Sequence, residues 1–506
     1  MNQKTRKILS ALLLIFAFSA LFSWRINLTV SDLGRHIKNG EIFLRTGNII
    51  QTNYYSYTAP DFPAINHHWL TGIIFYLVYM MGGFVELSVF YALVSGVTVY
   101  ICYIIIRKRL SVISSLSVIS LGLFFIINRF EVRPEIFSYL FIVLYFYLFD
   151  RFRDKKVSFN AMLLAVFLIQ LLWVNLHIFF VLGFFIICTF ALGFYFDNNM
   201  KNVWRCLLLL GVGIIAGLIN PAGIMGFIEP FIIFRNYNVP VLENQNIFKY
   251  SVLIYGLGEA KVYILSFLSM FMVGVLGALF VKKRKGITGD LVWPIIFLTF
   301  GGMAIFVARS LALFGYSTIV YFSMLLSYFP AFGKRLDRVF IFILPILFAT
   351  SLFITPSYGF GLMPGNLGAA EFFKKEHLHG PIQNDYNIGG YLIFNLFPNE
   401  KVYFDNRPEA YPPVFAQQSS SLFNNQSVWN DADDKYNFNV IFISTGSIGP
   451  GLRRFLLDNP VSLKWKPVYC DNFAAILVKN TPDNQSVIAR YYTPDLEEKL
   501  LSTHPQ

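Results

Sequence analysis

Long apolar runs alternate with short polar stretches along most of this chain, and the alternation stops near residue 356. Several runs approach or exceed the roughly 18 apolar residues needed to cross a bilayer. They lie at about 8–25, 86–106, 111–128, 134–150, 158–174, 177–196, 206–220, 259–281, 291–308, 311–330 and 339–355, so the pattern predicts eleven membrane helices. A further run, WLTGIIFYLVYMMGG at 69–83, is short for a span. Basic residues mark cytoplasmic loops, and here they cluster at Lys4–Lys7, Arg107–Arg109, Arg151–Lys156, Lys201–Arg205, Lys282–Lys285 and Lys334–Arg338. Counting 69–83 as a crossing would put Arg107–Arg109 outside. Reading it as an amphipathic helix in the outer interface brings every basic cluster inside. The N-terminus is then cytoplasmic and the C-terminal segment extracytoplasmic. The apolar run after MNQKTRK has no small-residue cleavage site behind it, so it reads as an uncleaved helix rather than a signal peptide.

From 357 to 506 the pattern changes. This stretch is rich in Asn, Asp, Pro and Tyr, with strand-like runs KVYF, NVIFIS and AAILV between turn signals and a helical GLRRFLLDN between two of them. It predicts a soluble α/β domain outside the cytoplasm, following a transmembrane domain over 1–356. No internal repeat or low-complexity segment is evident.

Composition supports this division. Of 506 residues, 56% are hydrophobic and only 14% charged, against about 25% charged in soluble domains. The formal charge of +12 would hint at nucleic acid, but the basic residues sit between apolar runs as orientation signals, so no nucleic-acid partner is expected. Cys102, Cys188 and Cys206 fall in or beside membrane runs and Cys470 stands apart, which supports neither a disulfide framework nor a cysteine metal site.

With this topology the unusual polar residues collect outside. Asp32, Arg35 and His36 open the first outer loop, which His67-His68-Trp69 closes. NRFEVRPE brings Arg129 and Arg133, WVNLH brings Asn175 and His177, a longer stretch brings Glu243, and the last turn brings Arg309. Asp32 has two readings, an N-cap for the helix GRHIKNGEIFLRTG or a general base. The two histidines are either interfacial anchors with Trp69 or metal ligands. The arginines either snorkel to headgroups or bind phosphate through their planar forks. In the C-terminal stretch, Asp385 and Tyr386 lie in NDYNIGG, and Asp405 and Arg407 in YFDNRPEAY. They form either a structural pairing or an acceptor-recognition surface.

The order of these motifs carries a resemblance. SDLGRHIKNGEIFLRTGNIIQTNYYSYTAPDFPAINHHWL resembles the first outer loop of GT-C superfamily glycosyltransferases, in the bacterial branch related to protein O-mannosyltransferases and the lipid A aminoarabinose transferase. RPEIFSYL, LLWVNLH and LINPAG look like further members of the pattern, and NDYNIGGYLIFNLFPNEKVYFDNRPEAY is similar to the outer domain of a GT-C-like subgroup. The resemblance implies a GT-C-like membrane fold and a transferase that takes a sugar from a polyprenyl-phosphate donor. It matches Asp32 to the catalytic acidic position, and the interfacial helix would guide the lipid tail. Asp32 is followed by Leu33 where many relatives carry an acidic pair, and His67-His68-Trp69 stands where close relatives often read His-Glu-Trp. These departures leave a divalent metal open; no other cofactor is called for. Expected partners are the donor, membrane lipid and a glycan, lipid or protein acceptor, at a bacterial inner membrane. Two rival readings remain. A transporter would need midplane charges or repeated halves, and an inactive envelope-polysaccharide assembly factor would keep the fold without the chemistry.

Overall fold

The computed structural model describes residues 2–127, 129, 131–233, 241–333, 335, 337, 357–448, 450–457 and 464–502. They divide into two compact units.

The first unit is a helical bundle. Its helices are α1 (Gln3–Ala20), and, after two helices of the other unit, α4 (Phe84–Ile106), α5 (Val112–Ile126), α6 (Glu135–Arg153), α7 (Phe159–Leu176), α8 (Val181–Phe196), α9 (Met200–Gly217), α10 (Gly223–Ile232), α11 (Ile247–Lys285), α12 (Val292–Phe306) and α13 (Leu311–Ser327). Ten of the eleven expected helices have a counterpart here; the eleventh, at 339–355, lies outside the described residues. By length and composition, seven helical stretches among the described residues can cross a membrane. The other three fall short for visible reasons: α1 begins with Lys4, Arg6 and Lys7, α5 has 15 residues, and α6 carries charge at both ends. α13 is apolar all round and nearly wholly buried, as expected of a helix at a bundle's centre.

Two departures from the sequence reading have local causes. α10 escapes notice because its ten residues are too short to look like a span. α11 starts at Ile247, well before the expected 259, but breaks at Gly256, where φ is 73° and ψ 172°. Glycine takes that conformation without a Cβ penalty, so a short helix precedes the long one.

Ionic contacts gather at the helix ends. Near one end, Lys108 and Arg109 pair with Asp150, and Arg153 pairs with Asp197 and Asp290. Near the other, Arg129 after α5 pairs with Glu135 at the start of α6. Glu135 and Asp150 sit on one helix about 22 Å apart at 1.5 Å per residue.

The second unit is built chiefly from Arg25–Leu87 and the described part of Phe360–Gln506. Its sheet has the order β1-β2-β4-β3, formed by β1 (Ile382–Asn384), β2 (Val440–Ser444), β3 (Trp465–Cys470) and β4 (Ala474–Lys479). β1 and β2 are parallel and the other pairings antiparallel. NVIFIS and AAILV are β2 and β4, and GLRRFLL is helical. KVYF is not a sheet strand; Val402 makes only an isolated bridge to Ser56. β3 escapes the strand pattern because it contains Pro467. As an edge strand with a register shift at Pro467/Tyr469, it tolerates a residue that cannot donate to the ladder.

The N-terminal part of this unit is α2 (Leu33–Thr46) and α3 (Trp69–Gly82). α3 carries no charged residue, so it is apolar all round rather than two-faced. It buries Thr71, Gly72, Ile73 and Phe75 and exposes Leu77, Met80 and Met81. α2 lies between α3 and the helix Gly389–Leu396, and glycines set both approaches. A Cβ on Gly34 would stand 2.5 Å from the Gly390 carbonyl oxygen, and one on Gly40 would collide with the Gly72 carbonyl.

Gly40→Ala is therefore expected to cost about 1–3 kcal/mol through overpacking. A Cβ on Gly211, in α9, would meet nothing within 4 Å, so Gly211→Ala should be neutral or slightly stabilising. Thermal unfolding of the two purified variants checks the contrast; equal midpoints would refute the close packing of α2 on α3.

Candidate active site

The expected site residues fall into two groups, one in each unit.

In the second unit, Asp32 occupies the N-cap position of α2, yet its side chain makes no capping hydrogen bond. The capping reading is thus not the geometry found. Asp32 Oδ2 instead lies 3.2 Å from His36 Nε2 and 3.5 Å from an Arg35 guanidinium nitrogen, one helical turn on. The Asp32 side chain keeps 21% exposure while His36 keeps none. Arg35 Nε donates to Asn406 Oδ1 at 3.2 Å. That partner lies 371 residues away in sequence, and no local signal announces it. His67, His68 and His36 form a row of edge-on rings, with centroids 4.7 Å and 5.3 Å apart. Burial, reinforced by the Arg35 charge and His36, lowers the His67 imidazole to about 4. Among the described residues, no three His, Cys, Asp or Glu side chains are grouped to hold a metal ion.

The four C-terminal candidates are engaged internally. Arg407 grips Asp405 through Nε and Nη2 at 2.9 and 2.7 Å, and also reaches Asn53. Burial alone would raise the Asp405 carboxyl, but Arg407 prevails and holds it below the usual range. Asp385 accepts from the Asn387 and Ser444 amides and from Ser447, pinning the start of the helix Gly389–Leu396 to the end of β2. Tyr386 donates to the Asn406 carbonyl. All four side chains are thus held by bonds within the second unit. Sequence reasoning passed over Glu409, whose carboxyl burial pushes up against the opposing charges of Arg35 and Arg407.

In the first unit, the three arginines converge and bring three carboxylates with them. Arg129 binds both oxygens of Glu135 at 2.6 Å, and Tyr139 donates to the same carboxylate. Arg133 pairs with Glu131 at 2.5 Å and with Glu243 at 2.9 Å. Glu243 also meets Arg129 at 3.1 Å and Arg309 at 3.7 Å. Burial opposes its ionisation, but Arg129, Arg133 and Arg309 hold the Glu243 carboxyl below the usual range. Glu131 and Glu135 were legible in NRFEVRPE and Glu243 in a separate stretch; their neutralising role was not. Asn175 donates to the Leu171 and Ile219 carbonyls, tying the ends of α7 and α9. His177 Nδ1 faces Ser138 Oγ at 2.7 Å and the Phe179 amide at 3.3 Å, so it caps the turn that starts α8.

The fold is shared with the oligosaccharyltransferase AglB of the archaeon Archaeoglobus fulgidus. The likeness holds for the structure with an inhibitory peptide and a dolichol-phosphate and for the one tethered to an acceptor peptide containing the NVT sequon. In each the TM-score is 0.59 at 12% identity, over 95% of this chain and 75% of that one. ArnT from Cupriavidus metallidurans, bound to undecaprenyl phosphate, matches with a TM-score of 0.40 at 10% identity, over 93% and 96% of the two chains. No protein-family model matches the sequence, and no curated protein matches it. The polytopic helical fold with a C-terminal α/β part, expected from the sequence, is the fold found, and AglB shares it.

A pH prediction follows from His67. Folded, it stays neutral down to about 4, whereas an ordinary histidine protonates near 6.5. Between those values the unfolded chain binds more protons, so stability falls as pH drops through that window. His67→Gln should flatten this part of the profile of unfolding midpoint against pH. An unchanged slope would assign the acid sensitivity to other groups.

Proposed function

We propose that this protein is an integral-membrane glycosyltransferase that moves a sugar from a polyprenyl-phosphate donor to an acceptor outside the cytoplasm. The fold shared with AglB supports the class. The observation that carries the chemistry is the placement of Asp32: it stands at a helix N-cap without capping, partly exposed, with a guanidinium and an imidazole beside it.

In the proposed reaction the acceptor hydroxyl oxygen attacks the anomeric carbon. Its proton passes to Asp32 Oδ, and the bond from the anomeric carbon to the phosphate oxygen breaks. The polyprenyl phosphate leaves with the electron pair. General-base help of this kind is worth about 10²–10⁴-fold. The departing phosphate needs preorganised positive charge, and we assign that role to the cluster of Arg129, Arg133 and Arg309. The acceptor can be a glycan, a lipid or a protein. The setting we propose is a bacterial inner membrane, with the N-terminus in the cytoplasm and residues 357–506 outside; the basic clusters support this orientation.

Asp32→Asn keeps shape and hydrogen-bonding capacity and removes the basic site. Sugar transfer should fall by about two orders of magnitude or more, while donor binding and the size-exclusion profile persist. Near-normal transfer by folded Asp32→Asn would remove Asp32 as base and turn attention to Glu409.

Orientation has its own test. Gln418 is exposed in the second unit. In a Cys188→Ser background, Gln418→Cys should react with a membrane-impermeant thiol reagent in intact spheroplasts. Labelling only after lysis would reverse the orientation.

A further inference from the structure

Three arginines meeting three glutamates leave a cluster of formally zero charge, a poor starting point for an anion site. The partners are not equivalent, however. Glu135 is locked to Arg129 through both oxygens and takes a third bond from Tyr139. Glu131 reaches only Arg133 among the three arginines and is about one-third exposed. Glu243 alone touches all three. Its Oε1 lies 3.1 Å from Arg129 and 2.9 Å from Arg133, and its Oε2 lies 3.2 Å from Arg133 and 3.7 Å from Arg309. Its backbone sits in a turn, Leu242–Asn244, fastened to the turn Ala308–Ser310 before α13 by the Ala308 amide, which donates to the Gln245 carbonyl. The glutamate thus reaches the centre of the arginine cluster from a fixed loop. It offers two oxygens and one negative charge, as the phosphodiester of a lipid-linked sugar would.

We infer that Glu243 is a resident anion, holding the three guanidiniums in place until the phosphate of a lipid donor displaces its carboxylate. The inference rests on the lipid-phosphate reading above and adds a regulatory contact to it. Arg309 is the side chain most open to exchange. Its sole ion pair among the described residues is the long one to Glu243, whereas Arg129 keeps Glu135 and Arg133 keeps Glu131. When Glu243 swings aside, three guanidiniums face two carboxylates, and the net charge of one matches an incoming anion. The cost of breaking the resident pairs lowers donor affinity. In return, the arginines do not repel one another when the donor is absent.

The test is binding of undecaprenyl phosphate to the full-length purified protein at fixed ionic strength. Glu243→Gln should tighten binding by about tenfold or more, the weight of one charge-assisted hydrogen bond no longer competed for. Adding Arg309→Ala to that variant should abolish most of the gain. Equal or weaker binding by folded Glu243→Gln overturns the inference, and if the wild type still binds, the lipid-phosphate reading stands. Failure of both wild type and variant to bind overturns both. Should Glu243→Gln lose its monodisperse peak on size exclusion, Glu243→Asp decides. Its shorter side chain reaches fewer arginines, so affinity above wild type supports the inference, and affinity at or below wild type overturns it.

Discussion

Charge cannot be left in the apolar middle of a helix bundle. An ionisable side chain at bilayer depth costs several kcal/mol, and the first unit is organised around that penalty. Its described ion pairs lie at helix ends: Asp150, Asp197 and Asp290 serve one end, and Glu135 and Glu243 the other. The ends differ in kind. The first carries the surplus of Lys and Arg found in Arg107–Arg109, Arg151–Lys156 and Lys282–Lys285. The second is balanced, three guanidiniums against three carboxylates. A surplus suits an end that contacts anionic headgroups. A balance suits an end where positive charge must be kept in reserve.

The second unit solves a different problem, holding a polar helix start in place. α2 is gripped on two sides by helices whose backbones approach through Gly34 and Gly390, and through Gly40 and Gly72. This fixes the first turn, and with it Asp32, Arg35 and His36. Arg35 is tied in turn to Asn406, which adjoins the buried Asp405–Arg407 pair. Removing one partner of such a pair leaves a stranded buried charge, at a cost of about 3–5 kcal/mol. The integrity of YFDNRPEAY therefore bears on the orientation of Arg35.

The sequence revealed the helices well because apolar runs depend on composition and length alone. α3 was visible for the same reason; α2 is polar and was visible as GRHIKNGEIFLRTG behind a capping residue, and the topology placed the arginines in the outer turns. What stayed hidden was pairing across distance. Nothing local to Arg35 points to Asn406, and nothing local to Glu243 says that it will meet Arg129, Arg133 and Arg309 together. Side-chain direction was hidden as well. Asp32 looked like a cap because it sits where caps sit, and only the geometry shows its carboxylate turned toward His36. β3 was obscured by Pro467, whose tolerance depends on an edge position that exists only once the sheet has formed.

The strands of chain that clasp the second unit together come from its two extremes. Asn366 Nδ2 donates to Asn27 Oδ1 and the Leu28 amide to Asn366 Oδ1, while the Ile26 amide reaches the Gly361 carbonyl. Those asparagines are 339 residues apart. At about 5–20 residues per second of synthesis, the segment around Asn27 leaves the ribosome roughly 17–70 s before its partner exists. Until then α2 and its buried polar groups have no helix at Gly389–Leu396 to pack against. The nascent chain must carry the segment that holds Asp32 unfinished while most of the helical bundle is being made. The unit that holds Asp32 is therefore completed only after residues 360 onward have been made, a built-in check that couples assembly of the first loop to synthesis of the segment that follows the bundle.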